Sequence, residues 1–332
     1  MILNDTSLET SREYYIVGTA FVVDDEDEPT KGRVLLFSTV SDISGEKRLS
    51  TPYCHDVEGS VYSSVSIRGR LIIAVNSRVQ MFRLTDGVLV PICSYTGHIA
   101  SLILSSRDDY VLIGDLMNSV TVLAYKPATD AYSEDLVEVS NDSSTNWMTA
   151  TEFIQGTDSI IGAESNFNLF SLQKSDIIVA NDVGRLHVGG VFHLGDFVNK
   201  FRKGSLVLNV SENDAIARPE LLFCTVDGMI GSVSVVEDNH ILLEKVQSRL
   251  QSCINPIGGF DHKIWRSFLN ERKTLDSSNF IDGDLIEMFL KLSKREQDLV
   301  CADLEYEDNM GVRNACNASD LIGIVECLSR IH

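Results

Sequence analysis

Basic residues are scarce in this chain: 28 lysines and arginines stand against 48 aspartates and glutamates, a formal charge of −20. A surface of that sign repels phosphate backbones, which argues against direct nucleic-acid binding by the chain. No CxxC pair occurs among the seven cysteines, Cys54, Cys93, Cys224, Cys253, Cys301, Cys316 and Cys327. Their scatter is against a zinc or redox framework and leaves buried, reduced thiols of an intracellular protein as the expectation. No run approaches the ~18 apolar residues of a membrane span, and Met1 to Glu13 holds no apolar signal segment. A soluble chain that is not secreted is expected, in which Asn141-Asp142-Ser143 and Asn209-Val210-Ser211 match the glycosylation sequon by chance.

Catalytic signatures are missing as well. GxSxG, P-loop and GxGxxG motifs do not occur, and His187 and His193, six residues apart, fit neither zincin nor zinc-finger spacing. His55, His98, His240, His262 and His332 are scattered, and no pair of carboxylates is recognisable as a hydrolytic couple. The expectation is a non-enzymatic chain with no catalytic residue, no metal ligand and no cofactor.

What is present is a repeat. At 332 residues and 44% hydrophobic content, the chain has room for one large domain and one small one. From Tyr14 to about Leu243, short apolar or alternating runs rich in Val, Ile, Phe and Tyr are separated by polar turns, which is an all-β pattern. Five times an apolar run ending in small residues is followed by a turn and an alternating strand. Tyr15-Ile16-Val17-Gly18 goes with Val34–Phe37, Leu71-Ile72-Ile73-Ala74 with Val79–Phe82, and Val111-Leu112-Ile113-Gly114 with Val120–Leu123. Ile160-Ile161-Gly162 goes with Phe167–Phe170, and Leu221–Cys224 with Val233–Val236.

The anchors Gly18, Ala74, Gly114, Gly162 and Cys224 are spaced by 56, 40, 48 and 62 residues. A four-stranded propeller blade takes about 40 to 50 residues, so the intervals fit blades with variable loops. An extra strand-like run precedes each later pair, at Val61–Ile67, Ile99–Leu104, Trp147–Ile154 and Phe197–Leu208, and a fourth run such as Val88–Tyr95 follows. A sandwich or closed barrel also has frequent short strands, but the period favours a propeller of about five blades. The first unit lacks an upstream inner strand, so the ring is expected to be incomplete, with unpaired edges and part of its core exposed.

Near Ile241 the period changes. Leu285, Ile286, Phe289 and Leu290 share a helical face, with Asp282 placed to cap and Asp284 in the first turn. Ser293 to Glu296 reads as a capping box before Leu299, Val300 and Leu304, and Leu321, Ile322, Ile324, Val325 and Leu328 form a last amphipathic helix capped by Asn317 or Ser319. The expected organisation is a WD40-like propeller over 1–243 and a small carboxyl-terminal helical domain over 244–332.

Two stretches, Phe268-Leu269-Asn270-Glu271-Arg272-Lys273-Thr274 and Phe280-Ile281-Asp282-Gly283-Asp284-Leu285-Ile286, resemble the tail of a propeller superfamily. That superfamily holds the damaged-DNA-binding adaptors of cullin-4 ubiquitin ligases and large subunits of pre-mRNA cleavage and splicing complexes. Upstream runs resemble the adaptors specifically: Tyr15–Ala20, Gly114-Asp115-Leu116-Met117, Leu123–Pro127, Asn146-Trp147-Met148 and Phe167–Phe170, then Phe192-His193-Leu194-Gly195 and Asp227–Gly231.

The resemblance implies the third propeller of an adaptor, without its opening blades, and the helical domain that braces it. It further implies an interaction scaffold in DNA repair and protein ubiquitination, located in nucleus and cytoplasm, whose propeller face grips helical segments of substrate receptors. Cullin-4 would be met only through propellers absent from this chain, nucleic acid only through a receptor, and no membrane. The positions carried over to the receptor face are Ala20, Glu28, Tyr62, Ser63, Ile99 and Leu102, with Leu116, Met117, Trp147, Phe197, Asn199 and Val226. Aromatic and aliphatic anchors among them supply burial and the polar groups fix orientation. Asn118 stands where the family usually has a basic residue. On residue type alone Trp147 also suits an inter-blade core, Tyr62 also suits packing on an inner strand, and the run Asp24 to Glu28 also suits a solvated loop.

Overall fold

A computed structural model describes residues 1–5, 10–41, 46–50, 52–174, 184–207, 217–236, 239–255, 257–307 and 313–330. Leu208, the sequon at Asn209 and His332 lie outside the described residues. The chain is mainly β, in propeller-like blades, with helices and a few short strands following the last blade.

Up to Val236 the described strands succeed one another in five groups. The first holds β1 (Ile2–Asp5), β2 (Thr10–Phe21), β3 (Lys31–Ser41), β4 (Lys47–Leu49) and β5 (Tyr53–Val57). β6 (Val61–Ile67), β7 (Arg70–Val75), β8 (Arg78–Thr85) and β9 (Val88–Thr96) form an antiparallel four-stranded meander, as do β10 (Ser101–Arg107), β11 (Tyr110–Asp115), β12 (Val120–Lys126) and β13 (Asp135–Asn141). β14 (Met148–Phe153), β15 (Ser159–Glu164), β16 (Asn168–Lys174) and β17 (Gly184–His193) follow, then β18 (Val198–Lys203), β19 (Ala217–Thr225) and β20 (Ile230–Val236). Tight turns set these registers: Asp86 and Gly87, with φ of 52° and 74°, join β8 to β9 in the left-handed conformation that an Asp-Gly pair adopts readily.

The expected pairs form in the expected register in three blades: Tyr15 faces Phe37, Leu71 faces Phe82, and Val111 faces Leu123. In the last blade Leu221 faces Val233, so Leu221–Cys224 pairs with Ile230–Val233 rather than with Val233–Val236. The cause is a shorter turn, in which Thr225 and Met229 exchange hydrogen bonds of 3.0 Å. The small anchors also have a definite reason. A Cβ built on Gly18 would lie 2.5 Å from Val61 of β6, and one on Gly114 would lie 3.0 Å from Ile103 of β10 and 3.2 Å from Thr151 of β14. At Gly18 the first strand of the following blade excludes a side chain, and at Gly114 a side chain would be crowded from its own blade and the next.

The chain divides into two compact units. One comprises Met1–Phe153, Thr157–Ser165 and Leu172–His187; the other comprises Ile154–Gly156, Asn166–Ser171 and Val188–His332. In the first, Leu3, Val34, Leu36, Leu71, Ile73, Val75 and Phe82 form one buried cluster, and Ile72, Ala74, Met81, Leu104, Ile113 and Leu123 form another. Burial of each large side chain contributes roughly 1.5–3 kcal/mol. On β2 the side chains of Tyr15, Val17 and Phe21 are exposed.

In the second unit the helices are α1 (His240–Cys253), α2 (His262–Trp265), α3 (Gly283–Glu287), α4 (Lys294–Cys301) and α5 (Ala318–Ser329). Leu243, Val246, Leu250, Ile286, Phe289, Val300, Leu321 and Val325 make their common core. Asp282 accepts from Leu285 N–H, Ser293 and Glu296 form a capping box, and Asn317 caps α5. The expectation of buried thiols holds for Cys301 and Cys316 and fails for Cys54, Cys224 and Cys253, which are exposed. Cys54 pairs with Leu35 on the blade face that also carries the exposed Tyr15 and Val17, and Cys253 is the last residue of α1.

Buried His98 has neither ring nitrogen hydrogen-bonded among the described residues, and its burial lowers its pKa from the ordinary 6.5, against the opposing pull of Asp115 and Glu138. The folded chain therefore holds His98 neutral while the unfolded chain protonates it below about pH 6.5. Stability falls as pH drops from there toward the depressed folded value. His98→Phe is expected to remain as stable as the parent at pH 8 and to lose less stability between pH 7 and 5, read from urea midpoints at each pH.

Candidate partner-binding surface

The blades present one backbone device at equivalent places. Asn76 N–H donates to Ser60 O at 3.2 Å, Leu116 N–H to Ala100 O at 2.9 Å, Ser165 N–H to Trp147 O at 2.9 Å and Val226 N–H to Phe197 O at 2.9 Å. Each bond ties the residue that leaves a blade's second strand to the residue that enters its first. Two residues further along each first strand lies a one-residue register shift, at Tyr62, Leu102, Thr149 and Asn199. A bulge re-aims the local side chain and increases twist, and such irregularities favour functional rims of β folds.

Seven of the twelve carried-over residues fall on this device. Trp147 and Phe197 occupy the carbonyl position, Leu116 and Val226 the amide position, and Tyr62, Leu102 and Asn199 the bulge. Ser63 follows the first bulge and accepts Leu104 N–H on its hydroxyl at 3.1 Å. Ala20 lies two residues past Gly18 on β2, opposite Gly32, and Glu28 lies in the exposed loop after β2. Ile99 adjoins the carbonyl position at Ala100, and Met117 the amide position at Leu116. None of the twelve is fully buried: Trp147 is 47% exposed, Ile99 49% and Leu116 39%, whereas Ser63, Leu102, Met117 and Phe197 are half-buried. The repeat also adds Ser60, Asn76, Ala100, Thr149 and Ser165 to the same positions. Small or polar side chains there gave no apolar signal to read.

Asp115 organises the third blade's loops. Its buried carboxylate accepts four backbone N–H groups, from Ile99 at 2.9 Å and Ala100 at 3.1 Å on one oxygen, and from Met117 and Asn118, both at 2.8 Å, on the other. One side chain thereby fixes the two segments that carry Ile99, Leu116 and Met117. The chain of bonds continues: Asp115 N–H donates to Ser119 O at 2.9 Å, and Ser119 N–H to Asn146 O at 3.1 Å. Ser119 Oγ donates to Asp142 at 2.6 Å and accepts from Asn146 Nδ2 at 3.3 Å. Asn146 directly precedes Trp147, so the exposed indole projects from backbone held by a buried, satisfied polar network. Such an arrangement offers apolar anchors on a rigid frame, which suits binding rather than bond chemistry.

In the second unit, Phe197 and Val226 are joined by their backbone bond, and Asn199 is exposed on β18. No helix among the described residues is long and apolar enough to cross a membrane. Among the described residues no group of three or more His, Cys, Asp or Glu side chains is placed to hold a metal ion.

Residues 1–291 match the family model described as the CPSF A subunit region. Over its whole length the chain is 38% identical to DNA damage-binding protein 1a of Arabidopsis thaliana, 38% to DNA damage-binding protein 1 of Solanum lycopersicum and 37% to the protein of that name from Oryza sativa subsp. japonica. It spans about 29% of the length of each of these curated relatives.

Proposed function

The chain belongs to the CPSF A subunit region family, and from that premise we propose that it is a non-enzymatic scaffold that holds helical segments of partner proteins on its blade rims. The observation that carries this reading is the pinned rim itself, where exposed Ile99 and Leu116 stand on loops fixed by Asp115 and exposed Trp147 follows Asn146, held through Ser119 and Asp142. An amphipathic helix docks by laying apolar side chains against such anchors while rim polar groups set its direction. The relatives' name supports a scaffold for DNA-damage binding. The finer reading is the adaptor of a cullin-4 ubiquitin ligase, in which this region grips substrate receptors and cullin is met elsewhere in a longer protein. The charge of −20 supports contact with nucleic acid through a receptor rather than directly. A third propeller over 1–243 with a helical domain over 244–332, acting in nucleus and cytoplasm, completes the proposal.

Trp147→Glu in the complete gene product is expected to weaken capture of a receptor helix at least tenfold while leaving the thermal midpoint within a degree or two, since the indole is exposed. Unchanged affinity by calorimetry would remove Trp147 from the site. Co-purification of the complete product with cullin-4 is expected; recovery of splicing or mRNA-cleavage subunits instead would assign the chain to the family's RNA-processing branch.

A further inference from the structure

Two of the seven cysteines lie buried in one cluster. Cys301 ends α4, and Cys316 separates the strand Arg313–Ala315 from Asn317, the cap of α5. Both are buried in the helical core with Leu304, Leu321 and Val325. The backbone draws them together in two steps: Leu304 N–H donates to Cys301 O at 3.1 Å, and Cys316 N–H donates to Leu304 O at 2.8 Å. The Cys316 thiol donates to Asn317 O at 3.8 Å, and the two cysteine side chains are near enough to act on one another electrostatically.

We propose that Cys301 and Cys316 form an oxidisable pair, a covalent modification site at which a hydroperoxide closes an intramolecular disulfide joining the end of α4 to the start of α5. The chemistry balances with one hydroperoxide. One thiolate attacks the peroxide oxygen and becomes a sulfenic acid as the O–O bond breaks and, for hydrogen peroxide, water leaves after proton uptake. The second thiol attacks that sulfur, the S–O bond breaks, and a second water leaves. Two thiols are oxidised and the peroxide is reduced. Burial raises both thiols, that of Cys316 to about 12, so little thiolate exists in the closed core. Closure is therefore slow in the native chain and quickens when the contact between α4 and α5 opens.

The test treats the full chain with hydrogen peroxide, blocks residual thiols, and maps peptides without reduction. The expected product is a Cys301–Cys316 cross-link lighter by two hydrogens, formed faster in ~2 M urea than in buffer. The oxidised chain is expected to melt about 5 °C or more above the reduced one, because the link removes conformational freedom from the unfolded chain. Cys301→Ala should abolish both the cross-link and the shift. Recovery of the two cysteines separately blocked, or joined only to other cysteines, overturns the proposal. A cross-link that forms at the same rate with and without urea overturns the gating by burial.

Discussion

Arg266→Ala is expected to cost roughly 3–5 kcal/mol, the range for stripping one partner from a buried ion pair. Arg266 lies in the second unit with its side chain 7% exposed, and its Nε donates to Asp282 at 2.7 Å. Nη1 reaches the carbonyl oxygens of His193 at 3.2 Å and Leu194 at 3.1 Å, at the end of β17. The guanidinium stacks over Trp265 at 3.7 Å and Phe192 at 4.6 Å. Asp282 is equally committed: it accepts from His262 Nε2 at 2.8 Å and from Leu285 N–H, and its own N–H donates to Gln247 at 2.7 Å. Arg266 is thus the point where α1, α2, the start of α3 and the end of β17 share one network. Its loss leaves a carboxylate at 5% exposure without its closest cation. Arg266→Met combined with Asp282→Asn is expected to lose much less than Arg266→Ala, because the buried charge disappears with its partner and asparagine still caps α3. Urea midpoints of the parent, the single variant and the pair give the comparison. Equal losses would mean that packing by the arginine stem, not charge pairing, carries the joint.

Much of this architecture is legible because strand pairs leave local marks. The alternation, the anchors at Gly18, Ala74 and Gly114, and the turn residues fix the register of three hairpins to the residue. Helix ends are equally readable where a cap is chemical, as at Asp282, Ser293 and Asn317. α1 is the counterexample. It starts at Asn239 in a left-handed conformation without a side-chain cap bond and with no acid in its first turn, so the sequence shows only a change of period there. The rim is harder still. A bulge at Tyr62, Leu102, Thr149 or Asn199 is a property of two strands' hydrogen bonding, not of the residue that bulges. Thr149 carries no mark in the sequence for that reason, and Asn76 carries none because it serves by polar bonds, accepting Ser60 N–H at 2.6 Å and donating to Pro29 O at 3.1 Å. Asp115 reads as an ordinary turn acid until the four amides that converge on it are seen together.

That convergence makes the Asp115→Ala variant the sharpest test of the rim. Four buried or half-buried amides lose their acceptor; a single orphaned donor costs about 1–3 kcal/mol, and water entering loosened loops recovers part of it. A net destabilisation of about 2–4 kcal/mol is expected, read from urea midpoints. Helix-binding affinity in the complete gene product should fall by tenfold or more even at temperatures where the variant stays folded, because Ile99, Leu116 and Met117 must then be ordered at the moment of binding. The loss should appear as faster dissociation together with a more negative binding entropy. Trp147→Glu provides the contrast, since it removes an anchor and leaves the frame. Asp115→Asn separates the two causes further. Its amide oxygen can still accept one pair of N–H groups, while its NH2 faces the other pair, so one of the two loops stays held and the other is released. If the rim works as a preorganised frame, affinity orders as parent, Asp115→Asn, Asp115→Ala, in step with the number of amides still bonded. Parent-like affinity in folded Asp115→Ala would show that a partner finds these side chains without the frame.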